Sequence, residues 1–169
     1  MYYIPSKIYL FVLAFVLMFT TTLYAAETDS LKSLLININD WNAKKPEGMS
    51  MDMGGMKMTN ATRNYTKGKK EITAMLMVGS NAMTQGNMQQ MNMETEEVKV
   101  SVSAIDGFQT QISYNKKENS GAVIVFLAKS KAQGAMFMFS FEGISEKEAL
   151  SLSKKFNWKK MKASVEKLF

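Results

Sequence analysis

Sixteen methionines stand in a chain that has no cysteine and no histidine. Its soft donors are therefore thioethers alone. These are uncharged ligands that select Cu(I) or Ag(I) over Zn(II), Ni(II) or Cu(II). All but Met1 and Met18 lie beyond residue 26, mostly in three groups. The first is Met49, Met51, Met53, Met56 and Met58. The second is Met83, Met88, Met91 and Met93, and the third is the strand pairs Met75/Met77 and Met136/Met138. The M-x-M and M-x-x-M spacings let three sulfurs converge on one ion from a flexible segment. The first two groups are accordingly the candidate metal ligands.

Methionine is also a flexible filler of irregular cores and adaptable surfaces. Met75, Met77, Met136 and Met138 alternate with Leu76, Phe137 and Phe139 and must point the other way. If their strands are neighbours, they form a sheet face, covered by the 80–93 segment, and packing explains them. Packing explains less of residues 49–58, where Ser50, Asp52, Gly54, Gly55 and Lys57 interrupt the methionines. Those stretches resemble the Met-rich segments of exported copper-handling proteins. Exposed methionines can also act as a sacrificial, repairable sink for oxidants.

Other chemistry is sparsely provided. Without cysteine there are no disulfides and no thiolate nucleophiles. Without histidine the commonest metal ligand and general base are missing. Ser140 and Ser145 have no basic partner in a recognisable motif. Glu96 and Glu97 are adjacent, so on a strand they would face opposite sides, and Asp106 is a turn residue. No glycine-rich phosphate cradle occurs. Asn60-Ala61-Thr62 and Asn64-Tyr65-Thr66 match glycosylation sequons, which matter only in a eukaryotic secretory route. Arg63 and Tyr65 share one side of a strand, where they would serve a ligand or, preferably, cover an edge.

Residues 1–26 read as a signal peptide. Lys7 precedes an apolar run, IYLFVLAFVLMF, which is followed by Thr20, Thr21 and Thr22 and then by Leu23-Tyr24-Ala25-Ala26. An uncleaved anchor is the competing reading, although the run falls slightly short of a span. Residues 27–169 then form one exported domain, with a Met-rich loop at 49–58 and a Met-rich insert at 80–93. The net charge is +6. Much of the excess sits at Lys154, Lys155, Lys159, Lys160, Lys162 and Lys167. That is a solvated face or, alternatively, a contact for anionic lipid. Nucleic-acid binding is not indicated.

These residues need a frame. Asp29 and Ser30 precede Leu31, Leu34, Leu35, Ile36 and Ile38, which predicts a short helix to about Asn39. Pro46-Glu47-Gly48 marks a turn. Strands are expected over 61–66, 71–78, 97–105, 108–114, 122–128 and 135–141, with Asp106-Gly107 as a hairpin turn. Residues 122–128 are apolar on both faces, as in a central strand. Ser145 and Glu148 form a capping box, and Asn157 caps a second helix with an apolar stripe at Trp158, Met161, Val165 and Leu168. The expected fold is α+β. It is a single mainly antiparallel sheet of about six strands, with N- and C-terminal helices on one face.

Trp41, Pro46-Glu47-Gly48, Met53-Gly54-Gly55, Ala61-x-Arg63-x-Tyr65 and Lys67-Gly68 resemble the pattern of a group of small exported bacterial α+β proteins of unassigned function. The likeness covers most of residues 27–169. It implies a fold and an envelope location, with a methionine-containing segment before Gly54-Gly55 as inherited scaffold, and it transfers no catalytic residue. The reading that follows is a non-enzymatic periplasmic domain that binds an envelope protein or a small ligand through a Met-rich face. Its alternative is a Cu(I)/Ag(I)-binding or buffering protein that uses Met49, Met51, Met53, Met56, Met58, Met83, Met88, Met91 and Met93.

Overall fold

The computed structural model describes residues 27–54, 56–80 and 92–169. The signal peptide expected at 1–26 and residues 81–91 of the insert lie outside the described residues.

The expected sheet of about six strands with terminal helices is corrected. Among the described residues the fold is mostly β, a single antiparallel sheet of nine strands with only short helices. The strands are β1 (Asn42–Ala43), β2 (Glu47–Met53), β3 (Met56–Lys67), β4 (Lys70–Ser80) and β5 (Met93–Glu94). They continue as β6 (Val98–Ile105), β7 (Phe108–Asn115), β8 (Ser120–Lys129) and β9 (Gln133–Glu142). Their order is β1-β3-β4-β9-β8-β7-β6-β5, and β2 pairs with β3 beside β1. Three strands, β1, β2 and β5, come from segments whose composition signals turn or loop. They sit at the sheet margins, where the ladder of a long neighbour stabilises residues of modest strand preference.

Residues 49–58 are thus a hairpin, not a loop. Met53 pairs with Met56 at its tip, and Gly54 takes the left-handed conformation that the turn requires (φ 61°). The β6–β7 hairpin turns at Asp106 (φ 52°) and Gly107 (φ 86°), the doubly left-handed turn that matches strand twist.

Alternation along the strands separates two faces. The inner face carries Ala61 and Tyr65 on β3, Ile72, Ala74 and Leu76 on β4, Val123 and Val125 on β8, and Phe137 and Phe139 on β9, all buried. Helices α1 (Glu146–Lys154) and α2 (Trp158–Val165) pack against it. The Ser145 side chain accepts a hydrogen bond from the Glu148 amide, and that of Asn157 from the Lys160 amide. Phe156, between the helices, meets Phe137 at 5.1 Å, Phe139 at 5.8 Å and Tyr65 at 6.1 Å between ring centroids. The Trp158 indole donates to the Ser153 carbonyl at 3.0 Å.

The N-terminal helix ends sooner than its apolar spacing suggests. Residues 27–32 are helical, and Leu34, Leu35 and Ile38 enter the core from turns and extended chain. The cause lies on β3. Arg63 donates to the Leu35 carbonyl (2.7 Å), the Lys44 carbonyl (2.7 Å) and Asn37 Oδ1 (2.5 Å), and the Tyr65 hydroxyl donates to the Ile36 carbonyl (2.8 Å). These carbonyls are held by the sheet and do not continue a helical ladder. Among the described residues no helix is long and apolar enough to cross a membrane.

Candidate functional site: a methionine-covered sheet face

The outer face of the sheet is where the methionines gather. Met75 on β4 stands directly opposite Met138 on β9, and Met77 opposite Met136. The rows continue on both sides. One runs Met49, Asn60, Met77, Met136, Phe126; the next runs Thr62, Met75, Met138, Ile124, Gln111. Met75, Met77, Met136 and Met138 are half-buried, as are Ile124 and Phe126. The two apolar sides of β8 are thereby explained, since Val123 and Val125 serve the core while Ile124 and Phe126 extend the methionine face.

The hairpin adds to the same surface. Met51 pairs with Met58, and Met49 is 48% exposed. Met58 leans across β4, where Gly79 pairs with Gly134 and neither carries a side chain. A Cβ built on Gly79 would touch the Met58 Cγ at 3.4 Å. By contrast, Met161 is fully buried among the core side chains.

The candidate metal ligands are only partly brought together. Met49, Met51, Met53, Met56 and Met58 share the β2–β3 hairpin. Met83, Met88 and Met91 lie outside the described residues. Met93, 41% exposed, belongs to β5 at the opposite edge of the sheet from β2. Seven strand spacings separate those edges, on the order of 30 Å along the sheet. Met93 therefore does not share a point with the hairpin. Sequence reading missed that 49–58 is a strand pair, although M-S-M-D-M-G-G-M-K-M carries the signal: strict alternation on both sides of a two-residue Gly-Gly turn.

Arg63 and Tyr65 lie on the inner face of β3, not on its outer side. They point inward and clamp residues 35–44, with the guanidinium 5.5 Å from the Tyr65 ring centroid. Burial pushes the Tyr65 phenol well above its ordinary pKa.

The carboxylates are engaged with lysines. Glu94 meets Lys116 at 2.8 Å, Glu97 meets Lys117 at 3.5 Å, and Asp106 meets Lys154 at 3.0 Å. The Lys116 ammonium holds the Glu94 carboxyl below its ordinary pKa. Among the described residues no group of three Asp or Glu side chains is placed to hold a hard metal ion. An open cleft of about 710 Å³ lies where the β6–β7 turn meets the α1–α2 junction, lined by Asp106, Phe108, Lys154, Lys155, Asn157, Trp158 and Lys159. Its charged groups are Asp106, Lys154, Lys155 and Lys159, with Asp106 and Lys154 joined as an ion pair.

Comparison of the chain with protein-family models, with curated proteins and with solved structures returned no match.

Proposed function

We propose that this chain is a non-enzymatic domain of the cell envelope that binds an apolar surface of another envelope protein through the methionine face of its sheet. The observation that carries this reading is the contrast between the two faces. The inner face is filled with branched and aromatic side chains. The outer face places Met75, Met77, Met136 and Met138, only partly buried, on the central strands, beside Ile124 and Phe126. Water-facing strands ordinarily alternate to polar residues. Neighbouring apolar side chains on the outer face of a sheet are the kind of surface that interaction sites use, and unbranched thioethers adapt their shape to what they meet. Export, which the Lys7 and apolar-run pattern of residues 1–26 supports, would place the partner in the periplasm.

The test is position-specific photo-crosslinking in intact cells. A photoreactive residue at Met77 or Met138 is expected to give a discrete protein adduct. The same residue at Ser151, exposed on α1, is expected to give none. Equal labelling from all three positions, or none from the face, would sink the proposal. Recovery of a bound small molecule by native mass spectrometry, with no protein adduct, would assign the face to a ligand instead.

A further inference from the structure

We infer that Met75, Met77, Met136 and Met138 form a binding site for one soft monovalent cation, Cu(I) or Ag(I). The site differs from the hairpin and insert groupings that spacing alone suggests, and it holds whether or not a protein docks on the same face.

The four residues make a two-by-two block on adjacent antiparallel strands, in the opposed pairs Met75–Met138 and Met77–Met136. Opposed Cβ atoms lie about 5 Å apart, and same-face neighbours along a strand about 7 Å. The centre of the block is then roughly 4 Å from each Cβ, a gap that an unbranched thioether side chain can span. Three or four sulfurs can therefore meet over one point without movement of the backbone.

That backbone is fixed. β4 and β9 are interior strands of the sheet. Between the methionines, Leu76 and Phe137 point inward and are fully buried. The ligands are thus flexible groups on a rigid base, so little order is lost when they close on an ion.

Their burial differs from that of a core methionine. Met161 shows what a structural methionine looks like here, with none of its surface exposed, whereas all four residues of the block are partly open to solvent. Solvent-facing positions on central strands favour β-branched or polar side chains. Here four thioethers occupy two consecutive cross-strand pairs.

The surroundings select the ion. The cross-strand neighbours of the block are Asn60, Thr62, Ile124 and Phe126, none of which is charged. A neutral, sulfur-only donor set discriminates against hard and divalent ions and suits Cu(I) or Ag(I). Ile124 and Phe126 shelter one flank of the sulfurs from water.

The test is a titration of the purified protein, labelled with ¹³C at its methionine methyl groups, with Ag(I), which needs no reductant. The methyl resonances of Met75, Met77, Met136 and Met138 are expected to shift together with an end point of one ion per chain, while that of Met161 stays in place. A competitive Cu(I) titration against a chromophoric chelator is run in parallel. It compares the wild type, a Met75→Leu/Met77→Leu/Met136→Leu/Met138→Leu variant, and a Met49→Leu/Met51→Leu/Met58→Leu variant. The four-site variant is expected to lose at least tenfold in affinity, with the hairpin variant close to wild type. Shifts confined to the hairpin methionines, affinity lost only in the hairpin variant, or no saturable shift would each overturn the site. The Ag(I) titration uses unaltered protein, so it decides for or against the site even where a variant fails to fold. Crosslinking at Met77 and Met138 reports on the protein partner separately.

Discussion

The Arg63 guanidinium lies over the ring of Tyr65, 5.5 Å from its centroid, and the two side chains together hold the backbone of residues 35–44. Arg63 satisfies the Leu35 and Lys44 carbonyls at once, and Tyr65 takes the neighbouring carbonyl of Ile36. Arg63→Ala is expected to destabilise the fold by about 1.5–3 kcal/mol, since charge-assisted donors are removed and their acceptors lose partners. Tyr65→Phe keeps the ring and should cost about 1 kcal/mol. Arg63→Lys should recover little, because one ammonium cannot reproduce the planar fork. Urea denaturation of the three variants measures this. An Arg63→Ala midpoint equal to wild type would mean that the clamp does not hold the segment.

Gly121 is packed against backbone. A Cβ placed there would lie 2.0 Å from the Ser113 carbonyl oxygen on β7 and 3.1 Å from Phe141 Cζ. The carbonyl belongs to the ladder and cannot turn away as a side-chain tip would. Gly121→Ala is therefore expected to destabilise by about 3 kcal/mol or more, at or beyond the usual range for overpacking. Thermal unfolding of the variant reads this directly, and a melting temperature indistinguishable from wild type would refute it.

The helix caps should respond differently to the same loss. Ser145→Ala removes the acceptor for the Glu148 amide and is expected to cost about 1 kcal/mol. Asn157 both caps α2 and sits at φ 46°. Asn157→Gly should therefore destabilise less than Asn157→Ala, because glycine accepts the left-handed backbone freely. Chemical denaturation of the pair tests the order, and equal losses would show that backbone conformation contributes nothing at this position.

The Glu94–Lys116 pair gives a pH-dependent signature. Hydrogen bonding to Lys116, with the attraction of its charge, lowers the folded-state pKa of Glu94. A depressed carboxylate stabilises the fold above its ordinary range, around 4.3, and that contribution is lost as pH falls through the lower folded value. A carboxyl-carbon NMR titration should place the Glu94 midpoint below that of an ordinary glutamate. In Lys116→Ala the midpoint should move up, and an unmoved midpoint would dissociate Glu94 from Lys116.

Most strands were legible because their alternation is local. Val98, Val100 and Val102 against Lys99, Ser101 and Ser103, followed by Asp106-Gly107, specify a hairpin in their own right. Alternation also assigned Met75, Met77, Met136 and Met138 to the face opposite Leu76, Phe137 and Phe139. That β4 and β9 are neighbours leaves no local mark, because many residues separate them and only the finished sheet brings them together. The Met-rich hairpin was hidden by composition. Methionine and glycine weigh against a strand, and the alternation shows only when Met is read as the face-defining residue. The N-terminal helix was overestimated because Leu31, Leu34, Leu35 and Ile38 have helical spacing, while the groups that end it, Arg63 and Tyr65, lie far along the chain. Residues 1–26 and 81–91 lie outside the described residues, and their expected roles rest on sequence.

The sheet ends in fragments on both sides. One margin is split between β1, of two residues, and β2, with Lys44-Lys45-Pro46 between them. At the other margin β6 is capped only by Met93–Glu94, which Lys116 ties down through the Glu94 carboxylate and the Thr95 carbonyl. A strand from another molecule would meet borders that are already broken up: Lys44-Lys45-Pro46 separates β1 from β2, and β5 covers β6 at Lys99 and Val100. Each border is thus divided into shorter stretches, which limits how far a second molecule's strand could extend the sheet beside its apolar outer face.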